Sequence, residues 1–391
     1  MVSEKSSIRS LRIGFFSLSL SYLVYAPRIP DLKDRLNVSV ASLGSIFMIV
    51  GLLGLVTSRL VSKIVKRFTS RKSIVLALPL TMGGSILLGS TTSIPIFIIG
   101  LSILAFGVFL INTSVNTQAS NVREVTGTNQ LSNLSAISNI GSLTALVIGS
   151  IFLNIFTTTQ YIIGLQAIVT LIFLATYRNL LSEDQNEGTG DNAKAKLPWF
   201  TRDQIQFWII VFILFASTTA EFSVSDWAAI LARDEFKIKA PLYLAPFIVF
   251  QAGIIISRFA LNRMAEKFSE IHVVRYGAIA GSIVWGASIQ FAAHMPKENQ
   301  AAMIACVLIG FFAAGCGVGP VWPSHLTSAT KSNYPVPDVL ARLFSFLSLA
   351  FVFGPGVIAA MSKSVSLSTA MMVPVAALFI VGLLTKRGLA K

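Results

Sequence analysis

Two carboxyl groups interrupt an otherwise apolar run of this chain, Glu221 and Asp226. At the centre of a bilayer a charged side chain costs about 3 kcal/mol, so an acid in such a run faces protein or a water-filled cavity. Loss of contact with water favours the neutral form of a carboxyl group. One hypothesis is therefore that Glu221 takes up and releases a proton. The alternative is a structural hydrogen bond or ion pair that holds its helix against a neighbour.

Asp226 follows Glu221 by five residues, which is about 140° around an ideal helix. The two acids therefore do not share one face. Either the helix breaks in its outer half, or one of the acids is structural. Asp226 lies beside Trp227 and close to the predicted end of the helix, which favours a gate or a cap. Both acids are kept as candidates for proton coupling.

Amide side chains form a second set of candidates. Asn112 and Asn116 are four residues apart, which places them on one face of a helix, one turn from each other. Asn139 and Gln251 lie in two further apolar runs. An amide both donates and accepts hydrogen bonds, which suits sugar hydroxyls or another neutral polar solute. Hydrogen bonding between helices is the alternative for each amide.

Aromatic side chains form the third set. Tyr22 and Tyr25 are predicted on adjacent faces of the first helix near the middle of the bilayer, and Trp322 stands between two prolines. Together with Trp227 they are candidates for contact with the solute, because an aromatic plane packs well against a sugar ring or a hydrophobic compound. Ordinary packing is the alternative for each ring.

These residues belong to a chain with the composition of a membrane protein. Of its 391 residues, 54% are hydrophobic and 12% are charged, and the mean hydropathy is +0.73. A soluble domain carries about 25% charged residues. A spanning helix needs about 20 mostly apolar residues, and a helix satisfies its own backbone groups in lipid. The predicted class is all-α integral membrane, with about twelve transmembrane helices in two halves of six.

The predicted helices follow the apolar runs of the sequence. In the first half they lie near Leu11–Ala26, Ser42–Val61, Ser73–Ser90, Pro95–Ser120, Leu131–Phe156 and Tyr161–Tyr177. In the second half they lie near Phe207–Ala232, Pro241–Leu261, Val273–Ala293, Ala301–His325, Val339–Met361 and Ser364–Leu384.

A polar stretch, Ser182–Arg202, separates the two halves. Its Gly, Asn, Asp, Glu and Lys residues cannot bury enough apolar surface to offset the entropy of ordering, so it predicts a flexible aqueous linker. The predicted organisation is an amino-terminal half over residues 1–181, a linker over residues 182–205 and a carboxy-terminal half over residues 206–391.

Lysine and arginine residues predict the orientation. With the amino terminus inside, the inner side holds these residues by about three to one, which places both termini and the linker in the cytoplasm. Contact with anionic headgroups then accounts for the formal charge of +14, and no nucleic acid is expected as a partner. The first run lacks a small-residue cleavage site, so we predict a retained helix there.

The spacing of cysteine and histidine excludes other chemistry. Cys306 and Cys316 lie ten residues apart on one predicted helix, about 15 Å along its axis, and cannot pair with each other. The three histidines, His272, His294 and His325, are near predicted helix ends and not at ligand spacing. No metal site, cofactor fingerprint or paired catalytic group is predicted, so the chain is not expected to be an enzyme.

A basic motif occurs at the same place in each half. Residues 58–72 read SRLVSKIVKRFTSRK, and residues 257–270 read SRFALNRMAEKFSE. This arrangement resembles the major facilitator superfamily, whose members have two six-helix halves and a Gly, Asp-Arg, Gly, Arg-Lys motif between helices two and three. Arg67, Arg71 and Lys72 match that motif, and Arg263 matches its weaker repeat after helix eight.

The motif also departs from the family pattern. Lys66 stands where the family has Asp, and Ser58 and Thr69 stand at its Gly positions, while Asn262 precedes Arg263 where relatives often have Asp. The resemblance implies that this loop forms an inner charge network that favours the outward-open state. Without the first acid that network is weakened or rebuilt. Ordinary positive-inside charge is the alternative explanation for these residues.

Four further segments are similar to the bacterial branch related to the fucose permeases. They are residues 28–36 (RIPDLKDRL), 112–124 (NTSVNTQASNVRE), 221–227 (EFSVSDW) and 353–356 (FGPG). This likeness implies a multi-pass protein of the bacterial cytoplasmic (inner) membrane and makes a sugar one candidate solute.

The superfamily resemblance implies a secondary transporter with a central site between its halves and alternating access. No nucleotide-binding motif occurs, so a gradient must drive it. The first expectation is proton-coupled movement of a small polar organic solute. The alternatives are a proton-coupled drug or metabolite exporter and, from another class, a non-transporting membrane sensor or scaffold. The expected partners are the solute, H+ and the lipid bilayer; no cofactor is expected, and the chain is expected to act as a monomer.

Overall fold

The computed structural model describes residues 4–126, 131–181, 205–296, 299–330 and 349–389, together with residues 339, 343, 346 and 347. In these ranges the chain is helical and contains no β-strand. The contacts divide it into two compact units. Unit 1 comprises Met1–Asn37 and Leu52–Asn192, and unit 2 comprises Val38–Gly51 and Ala193–Lys391.

Most of the helices of the first half lie in unit 1. They are α1 (Glu4–Tyr22), a 3-10 turn (Ala26–Arg28), α2 (Ile29–Arg35), α3 (Val40–Ser90), α4 (Ile94–Thr126), α5 (Leu131–Ile151), α6 (Thr158–Thr176) and a second 3-10 turn (Tyr177–Asn179). The first residues of α3, up to Gly51, are part of unit 2.

Unit 2 contains the remaining helices. They are α7 (Ile205–Ile230) with a π-helical turn (Leu231–Glu235), a 3-10 turn (Leu242–Leu244), α8 (Ala245–Phe268), α9 (Glu270–His294), α10 (Gln300–Val318), α11 (Val321–Thr330), α12 (Ala350–Met361), α13 (Leu367–Ala370) and α14 (Met372–Gly388). Helix α10 packs against α8 and α9, and α14 packs against α7 and α9.

Eight described segments are long and apolar enough to cross a membrane: Arg67–Ser90, Ile94–Ala119, Leu134–Ile151, Thr158–Asn179, Ile205–Glu235, Leu242–Leu261, Gln300–Ala329 and Leu367–Gly388. The other predicted positions are occupied by α1, by α9 and by two shorter apolar helices, Val40–Gly54 and Val352–Met361. The predicted all-α membrane class is therefore confirmed. The predicted linker falls almost wholly on residues 182–204, which lie outside the described residues.

Helix α1 differs from its predicted extent, because it begins at Glu4 and ends at Tyr22. Its buried face includes Phe15 and Leu18. It packs closely on α5, where a Cβ atom on Gly141 would lie 2.6 Å from the carbonyl oxygen of Phe16. Small residues at such a crossing let two helix backbones approach, which is how helices associate in lipid.

The basic segment predicted as a loop between helices two and three is a kink inside α3. Thr69 has non-helical dihedrals, with φ 65° and ψ 157°. In the second half α8 and α9 meet at Ser269, which has φ 56° and ψ 139°. Both dihedral pairs lie in a region that glycine adopts most readily. This conformation explains why the motif has glycine where this chain has Thr69.

The predicted tenth helix is divided into α10 and α11. The division falls at Gly319 and Pro320, and proline lacks the amide hydrogen that a continuous helix needs. Close packing fixes α10 against α8, because a Cβ atom on Gly253 of α8 would lie 2.5 Å from the carbonyl oxygen of Phe312. Pro355, in contrast, lies inside α12 without ending it.

Candidate functional site

The candidate site lies in unit 2 on α7, which carries both predicted acids. This helix is continuous over Ile205–Ile230, and the π-helical turn follows it. The expected alternative of a helix break between Glu221 and Asp226 is therefore wrong. The two acids lie on different faces of one unbroken helix, and each is half-buried.

Helix α7 is polar on the buried side of the turn that precedes Glu221. Ser217, Thr218 and Thr219 are buried, and their hydroxyl oxygens have no hydrogen-bond partner among the described residues. Ser223 differs, because its hydroxyl donates to the carbonyl oxygen of Thr219 at 2.7 Å. Buried polar atoms without partners are uncommon in proteins. These hydroxyls offer unused hydrogen-bonding capacity beside a carboxyl group.

Arg258 on α8 is the cation that we pair with Glu221, because α7 and α8 pack against each other. No N···O contact within 4.0 Å joins the two side chains in the described part of the chain. The acid and the guanidinium therefore lie on neighbouring helices without a direct ion pair, and in a low-dielectric interior each charge acts on the other.

The end of α10 holds Arg258 in place. Its Nε atom donates to the carbonyl oxygen of Gly319 at 3.0 Å, directly after the last residue of α10. A cation is favoured at the carboxyl end of a helix. Gly319 permits this approach, since a Cβ atom there would lie 2.7 Å from the carbonyl oxygen of Ile254 on α8.

Arg258 is a candidate site residue that sequence reasoning missed, because it was treated as part of the basic motif over residues 257–270. A signal was present: the predicted eighth helix, Pro241–Leu261, already contained it. An arginine inside an apolar run needs a protein partner for the same reason as an acid. The structure extends α8 to Phe268, which places Arg258 well inside the helix.

Gln251 is the predicted amide that lies nearest to this pair along the chain. It is on α8, seven residues before Arg258, which is about two turns along the same helix face. Its side chain is buried, with 6% exposure. Unit 2 therefore places an amide and a guanidinium on one face of α8, with Glu221 on the neighbouring α7.

Trp227 is packed more tightly than a solute-contacting ring requires. It is 0% exposed, its ring centroid lies 6.3 Å from that of Phe47, and a Cβ atom on Gly44 would lie 3.0 Å from its ring. Phe47 and Gly44 belong to the part of α3 that is in unit 2. The indole nitrogen has no partner among the described residues. The proposed contact of Trp227 with solute stays a prediction.

The other predicted amides lie in unit 1. Asn116 Nδ2 donates to Asn112 Oδ1 at 2.6 Å and to the Asn112 carbonyl oxygen at 2.8 Å. Both side chains are exposed on α4, and they share one face as their spacing predicted. Asn139 is half-buried on α5. The structure pairs Asn112 with Asn116 and leaves Asn139 on a separate helix of the same unit.

The predicted aromatic residues lie at helix ends. Helix α1 ends at Tyr22, and Tyr25 lies beyond it, directly before the first 3-10 turn. The first helix ends at Tyr22, sooner than the predicted run Leu11–Ala26, and the expected position of this pair near the middle of the bilayer stays a prediction. Trp322 is half-buried in the first turn of α11, just after the division from α10.

The basic residues of the repeated motif make aromatic contacts. The guanidinium of Arg67 lies 5.5 Å from the ring centroid of Phe68, and that of Arg71 lies 5.5 Å from the ring centroid of Tyr177. Lys72 and Arg263 are exposed. The side chains of Lys66, Ser58 and Asn262 lie outside the described part of the structure.

Unit 1 contains a buried charge just beyond the predicted end of the first helix. Arg28 is 2% exposed and contacts Asp31 at 3.5 Å. Its guanidinium lies 4.8 Å from the ring centroid of Tyr161. Its terminal nitrogens donate to three carbonyl oxygens just after α5, at 2.8 to 3.2 Å: those of Phe152, Leu153 and Phe156. These contacts make Arg28 a cap for the end of α5.

Gln118 is a second buried polar residue of unit 1, and it is fully buried. Its Oε1 atom accepts from the amide of Leu181 at 3.0 Å, and its Nε2 atom donates to the carbonyl oxygen of Leu181 at 2.9 Å. Nε2 also donates to the hydroxyl of Ser70 at 2.8 Å. Gln118 therefore joins α4 to α3 and to the last described residue of the first half.

Within the described ranges, no group of three or more His, Cys, Asp or Glu residues could hold a metal ion. Cys306 and Cys316 are free thiols. His325 is fully buried on α11 and its Nδ1 atom lies 2.9 Å from the carbonyl oxygen of Val321.

Comparison with known sequences gives a family match over most of the chain. Residues 13–336 match the Major Facilitator Superfamily. A protein from Yersinia pestis, described as an uncharacterised MFS-type transporter, is 24% identical over 369 residues, covering 92% of this chain and 90% of the relative. An uncharacterised transporter from Sinorhizobium fredii is 21% identical over 361 residues, covering 92% of each chain.

Solved structures of one protein share the fold. The nucleoside transporter NupG superposes with a TM-score of 0.71, and a single-residue variant of it superposes with a TM-score of 0.75. The sequence identity is 11% in both cases, and 98% of this chain is covered. At that identity the likeness establishes the helical arrangement and no more.

Proposed function

We propose that this chain, which belongs to the major facilitator superfamily and is a membrane transporter, not an enzyme, moves a small polar organic solute by alternating access. We propose further that this movement is coupled to a proton carried on Glu221. The observation that carries this proposal is the setting of Glu221: half-buried on α7, beside unsatisfied hydroxyls, and within the field of Arg258.

That setting gives the carboxyl group two accessible states. Arg258 stabilises the ionised form of Glu221, and removal of water stabilises the neutral form. Because no direct ion pair joins the two side chains among the described residues, a small change around Arg258 alters the balance. Asp226 has no charged partner in the described part of the chain, so we assign it a secondary role in the same coupling.

The solute is proposed to contact polar and aromatic side chains from both halves. Amides donate and accept hydrogen bonds, and rings cover apolar faces of a solute. The proposed set is Asn112, Asn116, Asn139, Gln251, Tyr22, Tyr25, Trp227 and Trp322.

The comparisons agree with a polar organic solute without identifying it. NupG is a nucleoside transporter, and the segments quoted above resemble the branch related to the fucose permeases. A nucleoside and a sugar share hydroxyl groups, which amide side chains recognise. The branch and the sugar solute remain proposals.

The topology is proposed from the charge pattern. We assign a half over residues 1–181, a cytoplasmic linker over residues 182–205 and a half over residues 206–391, with both termini in the cytoplasm and the protein in the bacterial inner membrane. We also propose that the protein acts as a monomer, and that Arg67, Arg71, Lys72 and Arg263 gate its inner side.

Proton coupling is tested by solute-driven pH change in proteoliposomes. The panel contains sugars, sugar acids, nucleosides and hydrophobic cations, and the variant is Glu221→Gln. Wild-type protein is expected to move protons with one solute class, and the variant is expected to lose that proton movement. Glu266→Gln is the matched control, because Glu266 is exposed on α8 and should keep wild-type coupling.

The sign of the pH change gives the direction of transport. Proton movement driven by a hydrophobic cation would replace the polar-solute assignment by a drug exporter. Solute movement with an unchanged proton signal in Glu221→Gln would make Glu221 structural, and silence across the panel would favour a sensor or scaffold.

A further inference from the structure

Arg258 has more hydrogen-bonding capacity than the described residues around it use. Its Nε atom donates to the carbonyl oxygen of Gly319 at 3.0 Å. No described residue accepts a hydrogen bond from its terminal nitrogens, and the side chain is only half-buried. A guanidinium presents its donors in a planar fork that matches a carboxylate through two parallel hydrogen bonds. The free edge of Arg258 is therefore suited to a carboxylate.

The position of that free edge is fixed by packing. Helices α8 and α10 approach so closely that Cβ atoms on Gly315 and Gly319 would overlap the backbone or side chains of α8. Arg258 thus extends from a rigid helix pair, with one nitrogen anchored at the end of α10. A fixed donor fork loses little entropy when it binds a planar anion.

We propose that Arg258 binds a carboxylate group of the solute, which makes the transported solute a small organic acid such as a sugar acid. This inference rests on the proposed function and adds the chemical class of the solute to it. Gln251, about two turns along the same face of α8, is placed to contact hydroxyl groups of such a molecule.

The protonation state of Glu221 determines whether Arg258 attracts an anion. When Glu221 is ionised, its charge balances that of Arg258. When Glu221 is protonated, Arg258 is unbalanced and attracts an anion. The site without solute, in which Glu221 is ionised, therefore has the same net charge as the site with bound carboxylate, in which Glu221 is protonated. Because an unbalanced charge in a membrane interior is costly, a proton and a monocarboxylate bind together.

Calorimetric binding to the purified full-length protein tests the carboxylate site. The probes are D-glucuronate, D-gluconate and lactate, with D-glucose and glycerol as neutral counterparts. We expect at least one carboxylate to bind, and its neutral counterpart to bind more than about tenfold more weakly. Arg258→Gln should weaken carboxylate binding by a similar factor. Lys267→Gln, an exposed cation on the same helix, should leave it unchanged.

The thermal unfolding midpoint of Arg258→Gln is measured alongside, so that lost binding is separated from lost folding. Arg258→Lys provides the second variant: it keeps the charge but not the fork, and its affinity should fall between those of wild type and Arg258→Gln. Absence of binding by every carboxylate, or carboxylate binding that Arg258→Gln leaves unchanged, overturns the inference.

Glu221→Gln separates this inference from the proposed function. A neutral amide mimics the protonated acid, so carboxylate affinity should be equal to or higher than that of wild type while proton movement is lost. Retained proton movement in this variant overturns the proposed function and leaves the Arg258 site standing. A carboxylate affinity that falls more than about tenfold overturns the pairing of Glu221 with Arg258.

Discussion

Arg28 in unit 1 and Arg258 in unit 2 are both surrounded by helices, but their guanidinium groups have different numbers of hydrogen-bond acceptors. Arg28 is 2% exposed, and its terminal nitrogens have three carbonyl acceptors, an acid and an aromatic ring around them. Arg258 has one carbonyl acceptor, and its acid acts on it without direct contact in the described structure.

On the proposal above, this difference separates a structural arginine from one that binds a ligand. The terminal nitrogens of Arg28 are surrounded by acceptors, so they have no capacity left for a ligand, and loss of the side chain leaves those acceptors without a donor. Terminal nitrogens with unused donors can exchange partners, which is what binding and release require. Hydrogen bonding at the terminal nitrogens, more than burial, therefore distinguishes the two proposed roles.

The largest expected effect is the loss of Arg28. Arg28→Gln leaves the carbonyl oxygens after α5 without their donor and Asp31 without its partner, so we expect unfolding free energy to fall by about 3–5 kcal/mol. Thermal unfolding of the detergent-solubilised protein measures this loss. Arg178→Gln, at an exposed arginine, should leave the thermal unfolding midpoint almost unchanged, because water screens exposed charges.

Arg258→Gln should fall between these two variants, with a loss of about 1 kcal/mol, because it removes one hydrogen bond to a carbonyl oxygen. Equal losses for Arg28→Gln and Arg258→Gln would erase the contrast between the two arginines.

A second change tests the positioning of Arg258 without touching its charge. Gly319→Ala places a methyl group 2.7 Å from the carbonyl oxygen of Ile254, which pushes α8 away from α10. We expect a loss of about 1–3 kcal/mol in stability together with weaker carboxylate binding in the calorimeter. Gly277→Ala is the matched control, since no atom lies within 4 Å of its added Cβ. Unchanged affinity in Gly319→Ala would mean that the helix pair does not fix the guanidinium.

A further expected effect concerns the ring beside Arg28. Tyr161→Phe removes the hydroxyl that donates to the carbonyl oxygen of Ala145 at 3.1 Å but keeps the ring. It should lower stability by about 1 kcal/mol. Tyr161→Leu also removes the ring and should lower it by about 1 kcal/mol more. Matching midpoints for the two variants would show that the ring contributes nothing to holding Arg28.

Much of the fold could be predicted from the sequence, because the requirement for long apolar runs acts on single helices. The run that carries Glu221 was recognised for that reason. The glycine-type position of Thr69 was instead implied by the resemblance to the family motif, and its dihedrals show a non-helical kink there. Helix ends were less predictable. The position of Tyr25 beyond α1 depends on where the helix stops, which composition does not fix.

Charges near helix ends were the least predictable part of the site. Arg28 and Arg258 both lie near the borders of apolar runs, where a loop residue and a buried residue have the same sequence context. What distinguishes them is the carbonyl oxygens they meet, which belong to segments far away in the chain. Gln118 is similar, since its partner Leu181 is 63 residues distant. Only the folded structure brings such partners together.

The bonds of Arg28 also set an order of events during synthesis. They join residues 124 to 128 positions apart, so the guanidinium has none of its carbonyl acceptors until the chain has been made as far as Phe152, and the last of them is made with Phe156. Until then Arg28 must remain with water or lipid headgroups. Long-range contacts of this kind form late because chain closure opposes them. Closure of unit 1 around Arg28 is thus a late step of membrane assembly, which waits for α5 to be inserted.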